Sequence, residues 1–175
     1  MPFKVSNLSL AGIKLIQPKV FHDERGFFLE TYKRSEFVAM GIYEEFVQDN
    51  YSCSEKNVLR GLHYQLEPFA QGKLVSVLSG AIFDVVVDIR PSSPTFKQWL
   101  SLGLSADEKN MLWVPVGFAH GFLSLSDETK VCYKVTAEYS PPHERGIRWD
   151  DAQLNITWPL GTPLVAPRDE GWAEF

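Results

Sequence analysis

Two histidines stand in segments that read as strands. His63 lies in Leu59-Arg60-Gly61-Leu62-His63-Tyr64-Gln65, and His120 follows a sharp Pro-x-Gly-x-x-His turn in Trp113-Val114-Pro115-Val116-Gly117-Phe118-Ala119-His120-Gly121-Phe122. With Lys73, Tyr133, Tyr139, Asp84 and several arginines they form a general acid–base set. Taking a proton from a carbon beside a ketone needs three things: a base on the face that carries the proton, a cation or donor at the carbonyl oxygen, and an acid opposite. Histidine, lysine and tyrosine suit those tasks in turn, and tyrosine, with a reference pKa of about 10, still holds its proton at neutral pH. Each has a plainer alternative: a strand histidine as a hydrogen-bonded structural group, Tyr133 as a core aromatic, Lys73 as a solvated strand end.

If residues 59–65 are extended, Arg60, Leu62 and Tyr64 share one face and His63 and Gln65 the other. The turn before His120 resembles the second motif of the cupin superfamily. Metal-binding members carry His-x-His and then a glutamate in their first motif; here the run is His63-Tyr64-Gln65-Leu66-Glu67, with glutamine for the second histidine and the glutamate too early. A divalent site takes three or four protein ligands, and His63 and His120 come with no assured third, so no metal is expected. His22 and His143, beside Asp23-Glu24-Arg25 and Glu144-Arg145, read as exposed loop residues. Cys53 and Cys132 are too few for a disulfide framework and too far apart for a zinc spacing, which suits reduced thiols in a cytoplasmic protein.

Elements that could position these groups are legible in the hydrophobic pattern. In Ala81–Ile89, Phe83, Val85, Val87 and Ile89 alternate with Asp84 and Asp88, the pattern of a half-buried strand. Similar runs at 12–17, 26–32, 46–52, 62–65, 73–78, 99–104, 111–114, 121–125 and 130–138 are separated by Gly, Pro, Ser, Asp or Asn clusters. Ser35–Gly41 alone looks helical, with a Ser N-cap and a Gly at its end. Many short strands within 175 residues, 45% of them hydrophobic, imply a single all-β domain over residues 1–175: a double-sheet jelly roll with one or two short helices, its sheets enclosing a pocket. From Pro159 onward the prolines suggest an irregular tail. A net charge of −5 without any basic run argues against nucleic acid, and no apolar stretch is long enough for a membrane span or a signal peptide.

Six runs then carry a specific resemblance: Asp23–Glu30, Phe46–Asn50, Leu59–Gln65, Gln71–Val75, Phe83–Arg90 and Pro115–Phe122. In this order they resemble the signature segments of the dTDP-4-dehydrorhamnose 3,5-epimerases, a family of the cupin superfamily. The resemblance implies a cofactor-free reaction on a dTDP-sugar. In it His63 is the base, Asp169 its charge-stabilising partner, Tyr133 the acid on the opposite face at carbon 5 and Lys73 the cation at the ketone oxygen. It further implies that Arg60 and His120 hold the sugar and diphosphate, that Tyr139 lines the cavity, and that Asp84 lies behind these groups as a partner. Arg25, Glu30, Gln48 and Asn50 match nucleotide-contacting positions, some supplied by the neighbouring subunit of a homodimer, and Glu144 is a further ligand candidate.

The tail departs from the family pattern: Val165-Ala166-Pro167-Arg168-Asp169 stands where Leu-Ser-x-Lys-Asp is usual, and Arg168 keeps the lysine's charge but not its shape. Residues Phe3–Val20 and apolar strand edges suggest dimerisation by sheet extension or segment exchange. The rival readings are a single-site epimerase of deoxysugar pathways, a metal-dependent cupin oxygenase and a non-catalytic sugar-nucleotide binding module.

Overall fold

The computed structural model describes residues 2–175. Among the described residues there are fourteen strands: β1 (Phe3–Asn7), β2 (Lys14–Pro18), β3 (Val20–Asp23), β4 (Gly26–Leu29), β5 (Gln48–Ser54), β6 (Val58–Gln65), β7 (Lys73–Ser79), β8 (Ala81–Asp88), β9 (Trp99–Ser105), β10 (Met111–Val114), β11 (Phe118–Ser124), β12 (Thr129–Val135), β13 (Glu144–Gly146) and β14 (Leu164–Val165). Two short helices, α1 (Arg34–Ala39) and α2 (Pro167–Glu170), complete the set with a 3-10 turn at Pro141–His143. One sheet runs β1-β2-β10-β7-β12-β5, the other β13-β6-β11-β8-β9, and β3-β4 is a separate hairpin. The two large sheets face each other as a double-sheet jelly roll.

Strand alternation divides the apolar residues into three cores. Val75, Val77, Leu112, Val114 and Val131 of the first sheet meet Ile82, Val86, Leu104, Phe118 and Phe122 of the second and fill one half of the barrel. Outside the first sheet, Phe37 and Ile42 of the α1 region cover Ile16, Leu74, Met111 and Trp113. Outside the second, Ile147 and Leu154 cover Leu62, Val85, Val87 and Ala119. Strand β8 is therefore buried on both faces, where its alternation predicted a half-buried strand: residues 147–158 cover the face that would otherwise meet water. Each such Leu, Ile or Phe contributes roughly 1.5–3 kcal/mol by leaving water.

Other local expectations need correction. Helix α1 begins after Lys33, with no side-chain cap, so Ser35 lies inside its first turn; Gly41 does sit past its end at φ +80°. His22 is exposed but belongs to β3, and His143 is partly buried, with Nδ1 2.7 Å from Ser140 Oγ. The segment after Pro159 is not irregular throughout. Strand β14 joins β6 in parallel, Leu164 opposite Val58 and Val165 opposite Leu59, and Pro167 opens α2 at a position where a missing N–H costs nothing.

The largest departure lies within β6. Its register against β11 shifts between His120/His63 and Phe122/Arg60, so that Gly61 and Leu62 together oppose the single residue Gly121. This is a β-bulge, and the extra residue inverts the parity of the strand. Arg60 and His63, which a regular strand would point to opposite faces, now line the same cavity. Glycine permits it: Gly61 has φ +133°, and a Cβ there would lie 2.5 Å from Gly121 Cα.

Replacing Gly61 by alanine should therefore cost about 2–4 kcal/mol through left-handed backbone strain and the clash with β11. Urea unfolding monitored by tryptophan fluorescence measures this, and a loss below about 0.5 kcal/mol would show that the bulge does not need glycine.

Candidate active site

The half of the barrel not filled by apolar side chains opens as a cavity of about 630 Å³. The alternation that turns Val75 and Val77 inward on β7 also turns Lys73 inward, and on β12 Tyr133 falls between Val131 and Val135. From the neighbouring β5 come Gln48 and Asn50, opposite Val135 and Tyr133. The second sheet supplies Arg60 and His63 from β6 and His120 from β11, with His63 and His120 as direct cross-strand partners. Tyr139, Glu144, Arg168 and Asp169 close the rim.

His63 is held by Asp169 of α2: Nε2 lies 2.7 Å from Oδ1. The other carboxylate oxygen accepts the Gly61 N–H at 3.1 Å, so the bulge that turns His63 into the cavity also supplies a donor to its partner. Burial pushes the Asp169 carboxyl up, but the His63 hydrogen bond and charge, the Gly61 amide and Arg168 outweigh it and hold Asp169 below the usual carboxylate range. A carboxylate only accepts, so Nε2 carries a proton, and in the neutral imidazole the lone pair is on Nδ1. The pair has the logic of a histidine oriented and charge-stabilised by a buried aspartate.

Across the cavity floor, Lys73 is almost fully buried and donates from Nζ to the His63 carbonyl at 3.2 Å. Burial lowers its pKa to about 8, against the charges of Asp84 and Glu144, which favour the ammonium. Asp84 lies behind His120, with Oδ2 2.8 Å from His120 Nε2 and Oδ1 buried without a partner. Burial raises Asp84, while His120 and Lys73 pull it down by less. Three titratable groups of both signs thus share one low-dielectric corner.

Tyr133 stands on the sheet facing His63. Burial raises its hydroxyl, with Arg60 and Arg168 opposing and Glu144 and Cys132 assisting, so it is a protonated donor at neutral pH. At the rim, Glu144 Oε2 accepts from the Tyr139 hydroxyl at 2.7 Å and from Arg168 Nη1 at 2.9 Å, while Gln48 accepts the Tyr139 amide and donates to Asn50. Gln65 spends its amide on the backbone, donating to Phe69 O and Glu138 O and accepting from Ser140 N, which ties the end of β6 to the loop carrying Tyr139. The arrangement can remove a proton from one face of a bound ring, steady a negative oxygen with an ammonium, and return a proton to the other face.

Of the sequence-derived candidates, Arg25 and Glu30 are not brought to this cavity. Arg25 is exposed at the tip of the β3–β4 hairpin, where it pairs with Asp23, and Glu30 follows β4. Sequence reasoning passed over Gly61, whose φ no pattern reveals, and Trp172, which donates to Asp169 Oδ1 at 3.4 Å from a segment read as irregular. The Pro167 start of α2 was the one available signal for that segment.

Residues 7–175 match the family model described as dTDP-4-dehydrorhamnose 3,5-epimerase. A curated protein of that name from Shigella flexneri is 52% identical over 172 residues, covering 98% of this chain and 95% of the relative. A crystal structure of the Bacillus anthracis enzyme of that name, with TDP and PPi bound, superposes at a TM-score of 0.97 with 45% identity, covering 99% of both chains. A crystal structure of a dTDP-6-deoxy-D-glucose-3,5-epimerase from Legionella pneumophila, in complex with dTDP-4-keto-L-rhamnose, gives 0.92 and 48% identity over 95% of this chain and 89% of the other.

Titration of Lys73 followed by NMR of its 13Cε should show a midpoint of about 8, and Asp84→Asn should lower that midpoint further, because it removes the larger of the two charges that favour the ammonium. A midpoint near the ordinary lysine value would mean that water reaches Nζ freely.

Proposed function

The chain belongs to the dTDP-4-dehydrorhamnose 3,5-epimerase family, and from that premise we propose that it converts dTDP-4-dehydro-6-deoxy-D-glucose into dTDP-4-dehydro-L-rhamnose by inverting carbons 3 and 5 in turn. The observation that carries this reading is the opposition of His63 and Tyr133 from facing sheets across one cavity, with Lys73 in the same cavity. A base and an acid on the same face would return the proton to where it came from. On opposite faces they invert the centre.

In this mechanism the substrate's 4-keto group acidifies the neighbouring carbon–hydrogen bonds. His63 Nδ1 takes the proton, and the positive charge it gains is balanced by Asp169. The electron pair moves to the ketone oxygen, where the Lys73 ammonium stabilises the enolate in a site with little water to screen it. At carbon 5 Tyr133 then donates to the carbon from the other side and recovers a proton from solvent, to which His63 releases the one it took. Because the ketone already acidifies these bonds, a base, an acid and a charge at the enolate oxygen suffice without a cofactor. Arg60, His120, Gln48, Asn50, Tyr139, Glu144 and Arg168 hold the sugar and the nucleotide diphosphate, the guanidinium groups matching diphosphate oxygens in pairs.

The same reading includes a homodimer and a cytoplasmic setting. Arg25 and Glu30 sit on or beside a hairpin that exposes Phe21, Phe27 and Phe28, and strands β1 and β5 leave free edges on the first sheet. In a twofold assembly each hairpin brings these residues to the partner's cavity. No helix among the described residues is long and apolar enough to cross a membrane. The product is a precursor of rhamnose for surface polysaccharides such as lipopolysaccharide O-antigen.

Incubation of dTDP-4-keto-6-deoxyglucose in deuterated buffer should place label at both carbons 3 and 5, read by NMR. His63→Ala should abolish exchange at both, by at least about 10³-fold, and Tyr133→Phe should leave exchange but slow inversion at carbon 5 by about 10²-fold. Label confined to one carbon would make the chain a single-site epimerase, and none at either would overturn the catalytic reading.

A further inference from the structure

Asp169 sits on a helix of four residues with no side-chain cap, a weak support for a group that must hold a base in register. Three residues on, Trp172 Nε1 donates to Asp169 Oδ1 at 3.4 Å, the same oxygen that His63 engages at 2.7 Å. The indole lies over Gly146 of β13, where a Cβ would be 2.4 Å from its ring, and Gly146 is the cross-strand partner of His63. The ring edge faces the His63 imidazole, with centroids 6.3 Å apart at 71°. Indole, carboxylate and imidazole thus form one cluster over a glycine.

We propose that Trp172 is a positioning residue for proton transfer: its N–H fixes Asp169 Oδ1, its ring shields the His63–Asp169 pair from water, and Gly146 is the seat that lets it come close. The proposal rests on His63 acting as the base. Trp172 does not line the cavity, so it acts on substrate only through the pair. Its own place is fixed downstream, where Arg148 N–H donates to Ala173 O at 3.3 Å, Phe175 N–H donates to the buried Asp151 at 2.7 Å, and Lys97 Nζ donates to Phe175 O at 2.8 Å. A fixed segment ending on Asp151 and Lys97 thereby sets the geometry of the base. Partners of this kind typically matter about 10- to 100-fold although they make no contact with the reacting atoms.

The experiment compares W172F, which keeps a ring and loses the N–H, W172L, which loses both, G146A, and the double variant G146A/W172L, by steady-state kinetics, deuterium exchange and thermal unfolding. W172F should lower kcat by about 3- to 10-fold and W172L by about 10- to 100-fold, with KM within twofold of the parent. G146A should lower kcat by about tenfold alone and by less than twofold in the W172L background, since the ring it displaces is gone. This non-additivity distinguishes positioning from general loosening, which would let the two losses multiply. If W172L proves too unstable to assay, W172F and G146A decide: kcat within twofold of the parent in both would overturn the proposal. So would a full G146A loss in the W172L background. A parent protein that exchanges no label would instead bring down the epimerase reading, whereas normal exchange in the parent and in W172L, lost only in H63A, would bring down the positioning role alone.

Discussion

The carboxylate of Asp169 holds two pieces of the structure at once: one oxygen accepts the Gly61 amide and the other engages His63. The Gly61 amide is free for this because the bulge in β6 withdraws it from the ladder with β11. A regular strand would spend that N–H on its neighbour and point His63 away from Arg60. The bulge therefore does two jobs, setting side-chain parity and presenting a donor, and a single buried carboxylate reads both. Strand β14 brings the carboxylate to the right edge of β6 by pairing with residues just before the bulge.

Around this point the barrel behaves as a solvent of low polarity. Its apolar half excludes water from beneath Lys73, Asp84 and Tyr133, and burial is the largest influence on all three. Lysine moves towards its neutral form, while aspartate and tyrosine move towards their protonated forms. The charges that remain are worth more per ångström than they would be at a surface, which is where the chemistry gains its electrostatic leverage. Hydrophobic core and reactive cavity are two ends of the same alternation: Val75 and Lys73 lie on one face of one strand.

Much of this was legible in the sequence, for physical reasons that also mark where legibility stopped. Apolar runs at 73–78, 111–114 and 130–138 gave strands because at least one face of each meets a core, and the ordered runs around His63 and His120 carried the family resemblance. Period-two reasoning failed at Gly61, since a bulge is set by one backbone angle and the fit against Gly121, neither of which has a composition signature. It also misjudged β8, whose outer face is covered by residues far along the chain, a tertiary fact invisible to a local window. In the tail, Pro167 was taken as a breaker although a proline at a first helical position starts a turn, and so Trp172 had no frame in which to matter. Arg25 and Glu30, which the resemblance matches to nucleotide contacts partly supplied by a neighbouring subunit, lie on or beside a hairpin outside the cavity within one subunit.

His63 and Asp169 stand 106 residues apart, yet they meet at 2.7 Å because His63 lies in β6 and Asp169 follows a strand paired to β6, whatever the length of chain between them. Closing a loop costs only about 0.6 kcal/mol more each time its length doubles. Connections such as residues 106–110, between β9 and β10, can therefore lengthen or shorten over evolutionary time without moving either partner. In lineages with this architecture, drift in length belongs in those connections, while β6, β14 and the few residues joining β14 to Asp169 must change in step or not at all.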